Sequence, residues 1–469
     1  MDLGINLSPV NDWNREWVFS NIFLQSREWR LIKNGVVQPP TVRVPILANG
    51  YPDFTQITAG DKVQSLMLID QGGHYPKGIY NASWSGDLAG VTFSGPGVTM
   101  GTVTDDFGVF KVDVDVQGDN GITLILDHAN VTGISVLMPG NNGALHPTFL
   151  SPLYHFKHIR FLNWMNTNTV NTPYIWENRT TPSHARQSYQ PQGVALEAMI
   201  YLCNKTKTRP WFCMPHLFDD NYVRKFATMV KNNCAADKIY IEFSNETWNL
   251  DFPVQTWAKA ESVRLGIPWP YVVADAAKHM WDIWISVFGD KVDKLVRVVG
   301  GQSSNDWVAK KIIERLGVGG ADMIAVGSYF SVPKDLAGTL NASSTPQDVL
   351  NIARSTLPKL KEGIKKHQVL GLPVGIYEGG QGIIGKAPWL QAAYDAQLLP
   401  DMYDATLENI QQAKNVGAVC FGAFSYVSRR DSPNGSWGHF EGQEQVNLNT
   451  SSLRQQAPKA AALRDYLLP

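Results

Sequence analysis

The feature that most constrains this chain is an alternation running from Leu150 to its end, in which short apolar, β-forming runs take turns with longer stretches at helical spacing. Strands are expected at 158–163 (HIRFLN), 210–215, 238–243, 295–300, 323–327, 373–377 and 418–424. Helices are expected at 150–156, 193–204, 219–231, 253–288, 307–316, 345–367, 388–415 and 452–467, the third capped by Asp219 or Asp220. With 3–7 as a first strand, the count reaches eight βα units. Eight such repeats favour an α/β fold closed as a (β/α)8 TIM barrel over an open doubly wound sheet. No glycine-rich phosphate fingerprint follows any strand, so a nucleotide fold has little support.

Between the first strand and the rest, the composition shifts. From Gly35 to Pro139 the chain is rich in Gly, Val, Thr and Asp, with alternating runs at 62–69, 90–93, 109–116 and 121–126. Turn signals at Gly95-Pro96-Gly97 and Asp119-Asn120-Gly121 separate them, the pattern of an all-β sandwich of jelly-roll type. The expected division is a first barrel segment at 1–34, with 16–32 at helical spacing, an inserted β-sandwich domain at 35–142, and the remainder of the barrel at 143–469. Tyr75, Tyr80 and Trp84 either offer ring faces to sugars or pack the domain, and packing is favoured.

Two strand ends carry candidate chemistry. KIYIEFSNETWN runs from a β-stretch into Asn245-Glu246, and LPVGIYEGGQG ends an apolar run in Glu378 followed by glycines, which let backbone and ligand approach closely. A barrel brings strand C-termini to one face, however far apart they lie in sequence. Two carboxylates there are what cleavage of a glycosidic bond requires, one to move a proton and one to attack or stabilise the oxocarbenium-like centre. Asn245 is placed to orient a sugar hydroxyl, and Trp248 and Trp257 offer flat apolar surface. In the blander alternative, Asn245 and Thr247 only cap the next helix, with Glu246 in its first turn, and Glu378 is a solvent-facing turn carboxylate. Trp164 and Trp176 are candidate subsite platforms.

Glu242-x-x-x-Glu246 ending in Asn-Glu after the fourth strand, with Glu378 ending the seventh, resembles clan A of the glycoside hydrolases, retaining enzymes on (β/α)8 barrels. The resemblance implies Glu246 as acid/base and Glu378 as nucleophile. It also implies a buried Arg160 that keeps Glu378 ionised, a role compatible with the alternative of a salt bridge to Glu242. Tyr329 would donate to the nucleophile, and His216 would contact sugar, against a structural alternative of equal weight. Phe424 and Tyr426 stand on the eighth strand, where many clan members have a stacking tryptophan. Thr247 replaces the proline of the common Asn-Glu-Pro, a departure from family five. DLGINLSPVNDW, RFLNWMNTN and PWFCMPHLFDD resemble a little-characterised group of clan A relatives loosely described as cellulose-binding proteins.

The expected activity is retaining hydrolysis of a β-linked polysaccharide or oligosaccharide, β-glucan-like and endo-acting, with no cofactor and no metal. Retention calls for carboxyls about 5–5.5 Å apart, against about 6.5–9.5 Å for inversion. The alternatives are a non-catalytic carbohydrate-binding or wall-associated protein on the same barrel, and a metal-dependent hydrolase built on His216, Asp219 and Asp220.

The net charge of −1 over 469 residues gives no basic footprint for nucleic acid or anionic membrane and no argument for a polyanionic substrate. No apolar run is long enough to span a bilayer, and MDLGINLSPV has no signal-peptide pattern. Cys203, Cys213, Cys234 and Cys420 match no zinc spacing, and Cys203 with Cys234 could pair in a secreted protein. Sequons at Asn81, Asn130, Asn178, Asn204, Asn341, Asn434 and Asn449 point to an extracellular glycoprotein, although the same pattern also falls on Asn245.

Overall fold

A computed structural model describes residues 1–95, 97–104, 107–112, 121–140 and 143–468. Eight parallel strands close into a barrel in chain order: β1 (Asp2–Asn6), β2 (His158–Arg160), β3 (Arg209–Met214), β4 (Ile239–Phe243), β5 (Leu295–Gly301), β6 (Met323–Phe330), β7 (Val374–Gln381) and β8 (Cys420–Ala423). Closure is made by β1, which pairs with β2 through Ile5 and Asn6 and with β8 through Asp2 to Ile5. A parallel barrel strand is covered on both faces, which is why the runs read as apolar throughout. Every residue of β4 and β7 is buried.

The helices pack outside, with their N-termini at the same end as the strand C-termini. Asp219 caps the Asp220–Asn233 helix by accepting from the Tyr222 backbone N–H at 2.6 Å. Four expected helices are each divided in two, the 452–467 stretch at Ala457 ahead of Pro458. The 253–288 stretch breaks between Leu265 and Trp269, where Gly266 takes φ +67° and Pro268 follows. The 345–367 stretch breaks at Ser355 and Thr356, and 388–415 breaks ahead of Pro400. Proline starts a helix readily but cannot continue one.

Between β1 and β2 the chain builds two antiparallel sheets. One has the order 36–37, 30–33, 62–67, 122–126, 91–94, and the other 131–137, 78–86, 107–112, 98–104. Val63, Met67, Leu124 and Leu126 of the first share a core with Tyr80, Trp84, Ile134 and Val136 of the second. Tyr75, Tyr80 and Trp84 are all buried in that core, so packing accounts for them. The 109–116 run is strand as far as Val112, while 113–116, Pro96, Asp119 and Asn120 lie outside the described residues.

The segment 16–32 is not a helix. It holds a single 3-10 turn, Ile22–Gln25, and then a strand, Arg30–Lys33, that joins the inserted sheet ahead of the expected boundary at residue 35. Of its aromatics, Trp17, Phe23 and Trp29 fill the β-domain core while Phe19 packs in the barrel core, so they do not share one helical face. The two connections into and out of the insertion run side by side: Ser20 N–H donates to Ala144 O at 3.1 Å and His146 N–H to Val18 O at 2.9 Å. All four cysteines are buried free thiols, so the Cys203–Cys234 bridge is not formed. Among the described residues, no helix is long and apolar enough to cross a membrane.

Candidate active site

At the C-terminal end of the barrel, one guanidinium organises the acids. Arg160, the last residue of β2, is 1% exposed. Its Nη1 donates to Glu378 Oε1 at 2.7 Å, and its Nε and Nη2 donate to Glu242 Oε2 at 3.0 and 2.8 Å. The same guanidinium thus contacts both carboxylates weighed as its partners. Nη2 also donates to Asn245 Oδ1 at 2.8 Å, and Trp211 Nε1 adds a 2.8 Å bond to Glu242 Oε2. Glu242 is thus satisfied inside the barrel, leaving Glu378 and Glu246 as the acids at its mouth.

Glu378 accepts a second bond from the Tyr329 hydroxyl at 2.9 Å. Burial pushes its carboxyl up to about 7; Arg160 pulls the other way, Glu246 adds to the rise, and Tyr329 lowers it. Glu246 follows β4 in a tight backbone bend, with Ser244 at φ +56° and Glu246 itself at φ +38°. Side chains rarely adopt this left-handed conformation, and it occurs where surrounding structure imposes it. The Glu246 carboxyl accepts from Tyr377 Oη at 2.7 Å and from Asn249 Nδ2 at 2.9 Å. The next helix begins only at Pro253, with Phe252 in the cap position, so Asn245, Thr247 and Glu246 do not cap it. Asn245 is 3% exposed, and its amide is held between Arg160 and Asn168, donating to Asn168 Oδ1 at 3.0 Å.

Tyr377 and Glu378 are consecutive, yet both reach this site. Pairing of β6 with β7 steps from Val326↔Ile376 to Gly327↔Glu378, leaving Tyr377 as an extra residue. That is a β-bulge, and it re-aims side chains that simple alternation would send to opposite faces. Asn6 Nδ2 fastens the bulge, donating to Tyr377 O at 3.0 Å and Ala423 O at 3.3 Å. The glycines after Glu378 serve the backbone. A Cβ on Gly379 would lie 2.4 Å from the Phe421 ring, and Gly380 takes φ +140°.

A cleft of ≈ 840 Å³ opens beside these groups, lined by Glu246, Trp248, Tyr329 and Tyr377 and extending past Gln302–Ser304 to the start of the Leu357–Gln368 helix. Phe424 is half-buried and packs edge-on against Tyr329 at 6.2 Å and Trp437 at 5.6 Å. His216 is 5% exposed beside Trp257, its Nδ1 has no partner, and burial lowers its pKa to about 4. It is therefore neutral at ordinary pH.

Of the expected aromatic contacts, Trp164, Trp176, Trp257, Phe424 and Tyr426 are not among the residues lining the cleft. Trp164 is fully buried among Phe19, Phe149 and Phe161, and Tyr426 is 1% exposed with its hydroxyl on Phe149 O at 3.0 Å; both fill core, and neither has a face free for sugar. Trp176 is half-buried outside the cleft lining, with Arg179 4.4 Å over its ring and Tyr222 at its edge. The acids of the metal alternative are engaged elsewhere, Asp219 as a helix cap and Asp220 with His279 at 2.7 Å. Among the described residues, no group of three or more metal-binding side chain types gathers.

Sequence reasoning missed Tyr377, Asn6, Asn168 and Trp437. The last lies on the loop after β8, 5.5 Å from Tyr329. The only signal for Tyr377 was its place next to Glu378.

No protein-family model matches this chain, and no curated protein sequence does. Among solved structures, it is similar to the GH51 arabinofuranosidase from Xanthomonas axonopodis pv. citri, with TM-score 0.42 and 12% identity over 65% of this chain and 64% of that one. It is also similar to the exo-β-1,4-mannosidase Op5Man5 from Opitutaceae bacterium strain TAV5, with TM-score 0.40 and 15% identity over 68% of this chain and 56% of that one. A third is XEG5A, a GH5 xyloglucan-specific endo-β-1,4-glucanase from a metagenomic library, with TM-score 0.40 and 13% identity over 70% of this chain and 89% of that one. This chain thus spans less than two thirds of the first two. Overlaps of this extent carry no argument about substrate or chemistry, which rest on the site's own residues.

Proposed function

We propose that the protein is a retaining glycoside hydrolase acting on a β-linked polysaccharide or oligosaccharide. Glu378 is the nucleophile and Glu246 the acid/base. The observation that carries this reading is the division of labour around the two glutamates: Glu378 bound by Arg160 and Tyr329, and Glu246 bound by Tyr377 and Asn249 at the cleft. In the first step a Glu378 oxygen bonds the anomeric carbon as the glycosidic C–O bond breaks, and the Glu246 proton passes to the leaving oxygen. Water then attacks the glycosyl-enzyme, giving its proton to Glu246 and releasing Glu378. Trp248 and Tyr329, which line the cleft, are the first sugar-binding candidates, with Asn245, His216 and Phe424 kept as further candidates.

An endo-acting, β-glucan-directed enzyme of the cellulose-binding-protein-like group is the finer form of this reading, supported by the open cleft and the resemblance of the sequence. Seven sequon asparagines are exposed, whereas Asn245 and Asn6, the latter in Asn6-Leu7-Ser8, are buried at the site; the seven suit an extracellular glycoprotein.

The test is a polysaccharide panel scored for released reducing ends and for binding, with the first-formed anomer read by NMR. Retention, lost in Glu378→Gln and in Glu246→Gln, is the expected result. Binding without release would replace the hydrolase with a carbohydrate-binding protein, and an inverted product would remove the nucleophile role of Glu378.

A further inference from the structure

The chain is almost neutral overall, but its cleft is not. Beyond Glu246 the wall is formed by the Leu357–Gln368 helix, LPKLKEGIKKHQ, with four lysines and one glutamate. Lys359, Lys361 and Lys366 line the cleft, and among the described residues none of the three has an ion-pair partner. The wall's one glutamate, Glu362, is already 3.2 Å from Lys365. The helix lies tight against the β5 loop, since a Cβ on Gly363 would be 2.5 Å from Ser303 O. The lysines, Gln302–Ser304 and Glu246 therefore border one continuous space.

Two considerations set these lysines apart from an ordinary solvated face. Lys359 lies in the first turn, which has no acidic residue, so its charge opposes the helix dipole. A local rule broken without compensation tends to mark a functional position. Moreover, with 41 basic and 42 acidic side chains in the whole chain, three unpaired cations on one wall of the cleft are a local excess.

Resting on the hydrolase reading above and departing from its β-glucan form, we infer that the substrate is an acidic glycan, a β-linked chain bearing uronate carboxylates that meet Lys359, Lys361 and Lys366. The cations add attraction from outside the reacting centre and set preference among chains that share the scissile linkage. Because the lysines are solvent-facing, that preference is screened by salt.

The experiment compares oligosaccharides carrying uronate in the backbone, or as side groups, with their carboxyl-reduced neutral twins. Binding to Glu378→Gln is measured by calorimetry at low and high salt, with and without the added changes Lys359→Gln, Lys361→Gln and Lys366→Gln. Of the two acidic forms, the one whose carboxylates reach the lysines should bind roughly 10-fold tighter than its twin at low salt, with the ratio falling toward one in high salt and in the lysine variant. A neutral twin that binds as well as the acid, absence of acid binding, or a ratio unmoved by the lysine changes would overturn the inference. Turnover by the unmodified enzyme is scored separately. Preference for the acid without cleavage of either twin defeats the hydrolase, whereas cleavage with no preference defeats only the acidic substrate.

Discussion

Arg160 places one positive charge between two carboxylates, each nearly removed from water, and the pair of ion contacts stands or falls with it. Arg160→Met leaves Glu242 and Glu378 buried without a counter-charge. A loss of about 3–5 kcal/mol is expected, read from urea unfolding. Arg160→Lys should recover little, because an ammonium cannot present the forked donors that span Glu242, Asn245 and Glu378. In the proposed reaction Glu378, as the nucleophile, sets the acid limb of the pH profile. It must be ionised to attack, and its burial-raised pKa of about 7 means kcat/KM should fall as pH drops below that value. Tyr329→Phe removes a bond that stabilises the carboxylate, so the limb should move to higher pH; an unchanged limb would assign it to another group.

The decisive element is β7, whose bulge delivers two functional side chains from consecutive positions. Tyr377→Phe keeps the ring that packs 4.9 Å from the Arg160 guanidinium and deletes only the bond to Glu246. A fall in kcat/KM of about 10-fold is expected, the equivalent of one hydrogen bond to a carboxyl that gains charge as its proton leaves, with the melting temperature little changed. Gly379→Ala should be far harsher, because the added methyl meets the Phe421 ring and distorts the strand. A folded, active Gly379→Ala enzyme would contradict that packing. This element also marks the limit of what the chain discloses before it folds. The Glu246 and Glu378 strand ends are legible because a strand buried on both faces reads as a near-continuous apolar run. The bulge is not, since register depends on what lies across the ladder. Similarly, Trp164 and Tyr426 look like sugar platforms in a string of letters, and only the packing of Phe149 and Phe161 around them makes them core. The same holds for 16–32, whose mixed aromatic and polar residues read as roughly helical while the aromatics divide between the inserted domain and the barrel core.

For the molecule as a whole, the join between the first and last strands matters most. Glu16 is 1% exposed and accepts from the backbone N–H groups of Ser8, just after β1, and Val427, just after β8. Burial raises its pKa to about 8 from an ordinary 4.5. The folded protein therefore holds a proton there that the unfolded chain releases. The resulting stabilisation is complete below the unfolded value and fades as pH climbs through about 8, with a slope of at most ~1.4 kcal/mol per unit. Relative to Glu16→Gln, the wild type should lose melting temperature between pH 5 and 8; parallel curves would show that the side chain is ionised throughout. The paired connections at Phe19 and Leu145 have a separate consequence. Because the chain leaves and re-enters the barrel through adjacent, hydrogen-bonded segments, the insertion hangs from the ring like a hairpin. Its excision and replacement by a short turn requires no rethreading of the eight strands, provided that something covers Trp17, Ile22 and Phe23. The ring thus has a grafting point, and exchanging the module there also removes the contacts of Asp70 and His74 with Arg429 and Glu444 on the loop after β8.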